Sequence, residues 1–288
     1  MKILVLGGGG QVARAVAASA PAHHSVLVKS RQDLDIANES ELTSTVEGSG
    51  ADWIVNAAAY TAVDRAESEA DLAREVNDTA VGVMARAAAR SGCRLLHLST
   101  DFVFDGRSNR AYLPTDRTNP LSVYGATKLG GEQQVLDHGR DAIVLRTAWV
   151  YASTGRNFAL TMLRLMRERD EVRVVADQIG TPTWATGIAQ AIWGLIDSAA
   201  PAGMYHWTDL GIATWYDFAV AIQDEALARG LLSRAVPVIP ISTADYPTPA
   251  TRPAFSVLNT EAIRAIVKAP ARHWRHNLRM MLDELRTA

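Results

Sequence analysis

The chain has a single cysteine, Cys93, in 288 residues, so it can form no intrachain disulfide and no multi-cysteine metal cluster, which suits a reducing cytoplasm. Lysine is almost as scarce, with four residues against 25 arginines. Neither sign of charge is in excess: 29 basic and 31 acidic residues leave −2 at neutral pH, and no positive field is available to recruit nucleic acid. No apolar run approaches the ~18 residues that cross a bilayer. Lys2 followed by four apolar residues resembles the start of a signal peptide, but the run breaks at Gly7 and Arg14 follows. The expectation is a cytoplasmic protein with neither a membrane nor a nucleic acid as partner. At 48% hydrophobic and 21% charged, the composition is that of an ordinary folded chain. Its length allows two units of roughly 150 residues or one large α/β domain.

Short β-branched runs at 2–6, 25–28, 53–57, 94–99 and 142–147 alternate with Ala-rich stretches at 11–19, 70–91 and 121–136. Each run is continuously apolar, as strands buried on both faces are, and the alternation predicts an α/β fold with a parallel sheet and helices on both faces. The second half loses this rhythm. Amphipathic helices are expected at 157–169, 184–198, 215–227 and 271–285, and a strand at 203–207 is expected to rejoin the sheet. The five prolines from Pro237 to Pro253 argue against regular structure there and for an ordered loop or lid.

The first run leads directly into Gly7-Gly8-Gly9-Gly10-Gln11-Val12-Ala13. Gly7 permits a tight turn, Gly10 permits close approach of backbone to a pyrophosphate, and small Ala13 permits close helix packing. The unpaired N–H groups of the helix start, around Gln11 and Val12, complete a dinucleotide cradle. An acidic residue at the end of the second strand would favour NAD; here stand Lys29, Ser30 and Arg31, which suit a 2′-phosphate. The reading favours NADPH as preferred cofactor, with NADH as the second.

Thr100 ends a central run, where open α/β sheets bind ligands, and 24 residues later comes Tyr124-Gly-Ala-Thr-Lys128. At i and i+4 on a helix, Tyr124 and Lys128 share one face, roughly 5–6 Å apart at Cβ. A phenol with a reference pKa near ~10 is a poor proton relay at neutral pH, and a nearby ammonium is expected to bring it down. In a chain with four lysines, this pairing behind a glycine turn points to catalysis by Thr100, Tyr124 and Lys128. Asn77, in the preceding helical stretch, fits either a role fixing active-site backbone or a place on a helix surface.

With these motifs the chain resembles the extended short-chain dehydrogenase/reductases, through GGGGQVAR, NAAAYTAVDRAES, LSTDFVFDG, NPLSVYGATKLGGE, LRTAWVY, NFALTMLRL, DQIGTPTW and RPAFSVLN, spanning residues 7–259. The resemblance implies a Rossmann-type domain of residues 1–149, to which 182–209 return, and a smaller C-terminal substrate domain of 150–181 and 210–288. It implies reduction of the 4-keto group of a dTDP-linked 4-dehydrorhamnose by a nicotinamide cofactor, with Tyr124 supplying the proton and Lys128 holding the nicotinamide ribose. Ala57, Ala58, Ala59 and Tyr60 would line the cofactor, and Thr61 and Val63 would lie near sugar and nicotinamide. Thr100, Asp101, Trp149, Asn157, Gln178 and Arg252 would face the nucleotide sugar. Trp149 is expected as an aromatic wall, and Arg252 as the cation on the diphosphate, because a guanidinium fork matches phosphate oxygens.

Related dehydratases place Asp-Glu after the threonine; here Asp101 is followed by Phe102, which counts against dehydration. A cofactor-binding regulatory subunit has no need of a tuned proton donor, so the Tyr124–Lys128 pair argues for turnover. No metal ligand set stands out: His273 and His276 have no nearby acid or cysteine at ligand spacing and read as surface residues. A Mg²⁺ requirement and the choice between monomer and homodimer stay open.

Overall fold

The computed structural model describes residues 1–139, 141–270 and 272–287. Six parallel strands form the main sheet in the spatial order Gly203–His206, Ile143–Thr147, Arg94–Thr100, Trp53–Asn56, Lys2–Leu6, Ser25–Lys29. The expected strands are all present, and Gly203–His206 does rejoin the sheet, beside Ile143–Thr147. Alternation along each strand explains the two covered faces. Ile3, Val5, Val55, Leu96 and Leu145 point into a core closed by helices Gln11–Ala18 and Ala185–Asp197. Leu4, Leu6, Ile54, Leu95 and Val144 point into the opposite core, closed by Glu39–Gly48 and Ala80–Ser91. Burying each such side chain contributes roughly 1.5–3 kcal/mol, which is why these runs lack the polar alternation of half-exposed strands.

A third core lies in the C-terminal domain, where Phe158–Glu168, Trp215–Ala228 and Trp274–Thr287 pack around Phe218, Leu163 and Leu278. Ile263 and Val267, although late in the chain, pack in the first core of the main sheet. The last helix starts at Trp274; Ala271, its expected first residue, lies outside the described residues.

Two expectations need correction. The proline-rich stretch is not irregular throughout: Val238–Ile241 pairs in parallel with Val172–Val175, with Pro240 opposite Val174. The sheet has only two strands, so Pro240 sits on an edge and is exposed, where a missing N–H costs the ladder nothing. The long helix expected at 70–91 is interrupted at Glu75–Thr79 by one turn of π-helix. Such turns reorient a side chain within an otherwise regular helix, and here the side chain is Asn77.

Candidate active site

The strand order turns back between Lys2–Leu6 and Trp53–Asn56, and open α/β sheets bind ligands outside the carboxyl ends of strands at such a point. A cleft of about 290 Å³ lies there, lined by Gly7, Gly10, Lys29, Arg31, Ala58 and Thr61 among others. Gly7 has φ +87°, and a Cβ on it would come within 2.6 Å of the Ala58 nitrogen, so only glycine lets the two turns meet. Gly10 caps helix Gln11–Ala18 without a side-chain hydrogen bond, and a Cβ on Gly9 would meet nothing within 4 Å. Open space over an uncapped helix start fits a pyrophosphate. Ala57, Ala59 and Tyr60 complete the wall.

Lys29 holds this cradle by its backbone: its carbonyl accepts from Gly7 N and Gly8 N at 3.0 and 2.9 Å. Ser30 is not simply a donor awaiting phosphate. Its N–H and hydroxyl both donate to Asp33 Oδ2, at 2.8 and 2.6 Å, and these bonds hold the Asp33 carboxyl below its usual range. Asp35 lines the same cleft. Two carboxylates therefore offset the two cations that the sequence brings to notice.

Helix Val123–His138 starts where Ser122 Oγ accepts from Gly125 N at 3.2 Å. A Cβ on Gly125 would lie 2.3 Å from the Phe102 carbonyl oxygen, so glycine lets the helix pack against the turn after Thr100. The buried face of this helix carries Lys128 and Glu132, charged groups that a purely structural helix would expose. Tyr124 is half-buried as a residue while its phenol is enclosed; burial pushes it up to about 12, a hydrogen bond with Thr100 lowers it, and the Asp101 charge raises it. Asp101 is itself raised to about 6 by burial, opposed by hydrogen bonds from Ser256 and Thr100. Thr100 Oγ1 donates to Asp101 Oδ1 at 3.0 Å and accepts from Phe102 N at 3.2 Å.

Lys128 does not act on the phenol as the sequence suggested. Its ammonium donates to the Leu98 carbonyl at 2.7 Å and meets His97 Nε2 at 3.1 Å, so its charge is directed at the strand beneath. Burial brings Lys128 down to about 8, with Glu132 opposing. Behind it stands a chain of buried polar groups. Ala58 N donates to Asn56 Oδ1 at 3.1 Å, which aims the Asn56 amide nitrogen at His97 Nδ1, 2.9 Å away. A neutral imidazole so placed carries its proton on Nε2, facing the lysine, and favours the amine form. Glu132, alongside, takes the Ser99 hydroxyl at 2.5 Å and both arms of the buried Arg146 guanidinium at 2.8 and 2.6 Å.

Asn77 is fully buried and joins the two halves of the site. Its Oδ1 accepts from Tyr60 N, and its Nδ2 donates to Tyr60 O and Thr127 Oγ1, at 2.8, 3.0 and 3.2 Å. It thus fixes active-site backbone and does not lie on a helix surface.

A larger cavity of about 530 Å³ lies in the C-terminal domain, lined by Phe158, Arg164, Arg173, Gln178, Trp215 and Arg252 among others. Gln178 lines this cavity, donating to Thr243 Oγ1 and accepting from Trp215 Nε1. Trp149 is not the wall of this cavity: it stacks flat on Trp215, centroids 3.5 Å apart, and Trp215 forms the wall. Trp149 has φ +48°, an unfavourable backbone for a bulky residue that places its ring between Trp215 and Gly180. Asn157 caps helix Phe158–Glu168 through Leu160 N and donates to Gln11 Oε1 at 2.8 Å. It therefore ties the glycine turn to the second domain and does not face the cavity. Arg252 lines the cavity, but its fork grips Asp64 at 3.0 and 2.7 Å. Thr61 lies in the first cleft, and Val63 starts the short helix Val63–Ala66 that carries Asp64.

A glycine cradle at the sheet's turning point, with a strand-end threonine and a Tyr-x-x-x-Lys helix beside it, defines a short-chain dehydrogenase/reductase. The family described as RmlD substrate binding domain matches residues 1–287. A dTDP-4-dehydrorhamnose reductase of Burkholderia thailandensis is 42% identical over 295 aligned residues, covering 99% of each chain. Among solved structures, a dTDP-4-dehydrorhamnose reductase from Clostridium acetobutylicum superposes with a TM-score of 0.93 at 36% identity, covering 99% of this chain and 100% of that one. One from Bacillus anthracis in complex with NADP has the same TM-score at 32% identity, covering 98% and 99%. The chain belongs to the RmlD family of dTDP-4-dehydrorhamnose reductases, within the extended short-chain dehydrogenase/reductases.

Proposed function

We infer that the protein catalyses NAD(P)H-dependent reduction of the 4-keto group of dTDP-4-dehydro-β-L-rhamnose to dTDP-β-L-rhamnose, the final step of dTDP-rhamnose synthesis. The carrying observation is the placement of the enclosed Tyr124 phenol, on the helix that also carries Lys128, beside Thr100 at the carboxyl edge of the sheet that holds the glycine cradle. When bound, the reduced nicotinamide supplies the hydride that turns C4 from carbonyl to alcohol carbon. Tyr124 gives its proton to the sugar O4, and Thr100 donates a hydrogen bond to that oxygen as charge gathers on it. The Thr100 hydroxyl donates to Asp101 Oδ1 in this structure, so on substrate binding it would turn from the carboxyl to the ketone. Lys128 would hold the nicotinamide ribose, for which its ammonium would turn from the Leu98 carbonyl it meets in this structure. The decisive test is turnover of the keto-sugar with and without a 3,5-epimerase. Rapid cofactor oxidation only in the coupled system is the expected result, and oxidation without the epimerase would point to a different nucleotide sugar.

The proposed division of labour gives residues 1–149 and 182–209 the dinucleotide, and 150–181 and 210–288 the nucleotide sugar; the separate cores support it in the main, while Ile263 and Val267 pack with the sheet and Trp184 with the C-terminal core. A buried, solitary Cys93 suits the cytoplasm, and no described helix is long and apolar enough to cross a membrane.

NADPH is the proposed preferred cofactor because Lys29 and Arg31 line the cleft, with NADH used as well because Asp35 lines it beside them. Arg31→Ala is expected to lower kcat/KM for NADPH by ~10-fold while changing that for NADH less, the loss of one charged phosphate contact. Equal losses with both cofactors would remove Arg31 from 2′-phosphate recognition.

Arg252 is proposed to keep Asp64 as its anchor while presenting its outer edge to the diphosphate. Arg252→Gln should raise KM for the nucleotide sugar by ~10-fold or more, the worth of a hydrogen bond to a charged group, with kcat changing little. An unchanged KM would leave Arg252 as a strut between Asp64 and the proline-rich segment.

A further inference from the structure

Far from the cleft, at the amino-terminal edge of the sheet, the connection into strand Ser25–Lys29 presents two consecutive histidines to one carboxylate. His23 Nε2 and His24 Nε2 lie 3.3 and 2.7 Å from Asp197 Oδ1, and the three ligand atoms fall within 4.8 Å of one another. We propose that His23, His24 and Asp197 form a binding site for a transition-metal dication of the Zn²⁺ class.

Zn–N and Zn–O bonds near 2.0–2.2 Å set tetrahedral ligand-to-ligand edges of about 3.3–3.5 Å. The His23 contact already has that length. The His24 contact opens by a fraction of an ångström when a metal replaces the shared proton. Two ligands are imidazoles, which suit zinc, copper or nickel and not Mg²⁺ or Ca²⁺. The site is also pre-formed. The His24 side chain has no exposed surface and stacks on Trp193 at 5.3 Å, so one ligand is fixed before any metal arrives. The His23 and Asp197 side chains are 64% and 42% exposed, which leaves room for the ion and for water as the fourth ligand.

Electrostatics supply an independent reason. Asp197 is the last residue of helix Ala185–Asp197, where the carbonyl end already carries partial negative charge, and the last turn holds no basic residue. A carboxylate there repels its own helix; burial raises the Asp197 carboxyl further, His24 and His23 hold it below its usual range, and a dication between them would stabilise the same charge more strongly. A metal would answer that charge and staple the connection before Ser25 to the helix that covers one face of the sheet.

The test is calorimetric titration of chelator-treated, full-length protein with ZnCl₂ and with MgCl₂ at pH 7.5, on the unaltered chain and on His23→Gln and Asp197→Asn. The expected result is one Zn²⁺ per chain and none of Mg²⁺, with each variant binding Zn²⁺ at least ~10-fold more weakly, since even losses outside the ligand sphere cost that much. Co²⁺ in place of Zn²⁺ should give the intense visible bands of a tetrahedral ion in the unaltered chain alone. Binding should weaken as pH falls through the histidine range, because both imidazoles must be unprotonated. Reductase turnover should be the same in all three proteins, since none of the three residues lies near the cleft. Absence of a 1:1 Zn²⁺ isotherm, or equal Zn²⁺ affinity in Asp197→Asn, would overturn the site and leave two histidine–aspartate hydrogen bonds.

Discussion

Tyr124→Phe is expected to lower kcat by about 10²–10⁴-fold, the range for losing a positioned proton donor, while dinucleotide affinity stays within a few-fold. The substitution removes one oxygen. The ring keeps its edge-to-face contact with Phe102, centroids 5.6 Å apart, and the backbone that binds Thr127 Oγ1 is unchanged. Stability should therefore change little, and a large activity loss reports the proton. Direction matters here. A phenol pushed up to about 12 keeps its proton at neutral pH, so the form needed to reduce a ketone is in place, although it is a weaker acid than a free phenol; the phenolate needed to oxidise an alcohol is scarcely populated. The variant should lose both directions, and the parent should run reduction faster than its reverse at pH 7. Retention of most turnover by Tyr124→Phe would move the donor role to a bound water or to Asp101, whose carboxyl, raised to about 6, is the other proton reservoir beside Thr100.

The parts of this site that depend on local spacing were legible in the sequence. Gly7 to Ala13 follows a strand and opens a helix, and Tyr124 and Lys128 lie one turn apart, so both signals survive without knowledge of the fold. The apolar runs revealed the sheet because parallel strands covered on both faces have no polar alternation. What stayed hidden depends on residues far apart in the chain. Asn56, His97 and Lys128 come from two strands and a helix, and His97 sits in the run RLLHLST, where one imidazole among leucines looks like a tolerated exception. Ser256, which reaches Asp101 from the C-terminal segment, had no local signature at all. Asp64 gave no sign that it would occupy Arg252, nor Trp215 that it would displace Trp149 from the cavity wall. Asn157 is a different case: an Asn directly before an amphipathic helix is a capping signal, and weighting that above the substrate role would have placed it correctly.

The hidden chain leads to the second large effect, on Lys128. With its pKa brought down to about 8, Lys128 is an ammonium below that pH and an amine above it. Tyr124, at about 12, stays protonated across the same interval, so it contributes no limb there. If the ammonium is the form that supports proton delivery, kcat for reduction should fall as pH rises through about 8, and the limb belongs to Lys128. Lys128→Met should remove that limb and cost ~10²–10³-fold in kcat at pH 7, comparable to removing a preorganised donor from developing charge. His97→Gln separates the two causes of the low value. If the proton on His97 Nε2 helps to favour the amine, taking the imidazole away should let the ammonium persist to higher pH and shift the limb alkaline, with Tyr124 and Thr100 left in place. A limb that stays near pH 8 in His97→Gln would assign the depression to burial of the lysine alone, and a limb that survives in Lys128→Met would take it away from the lysine entirely.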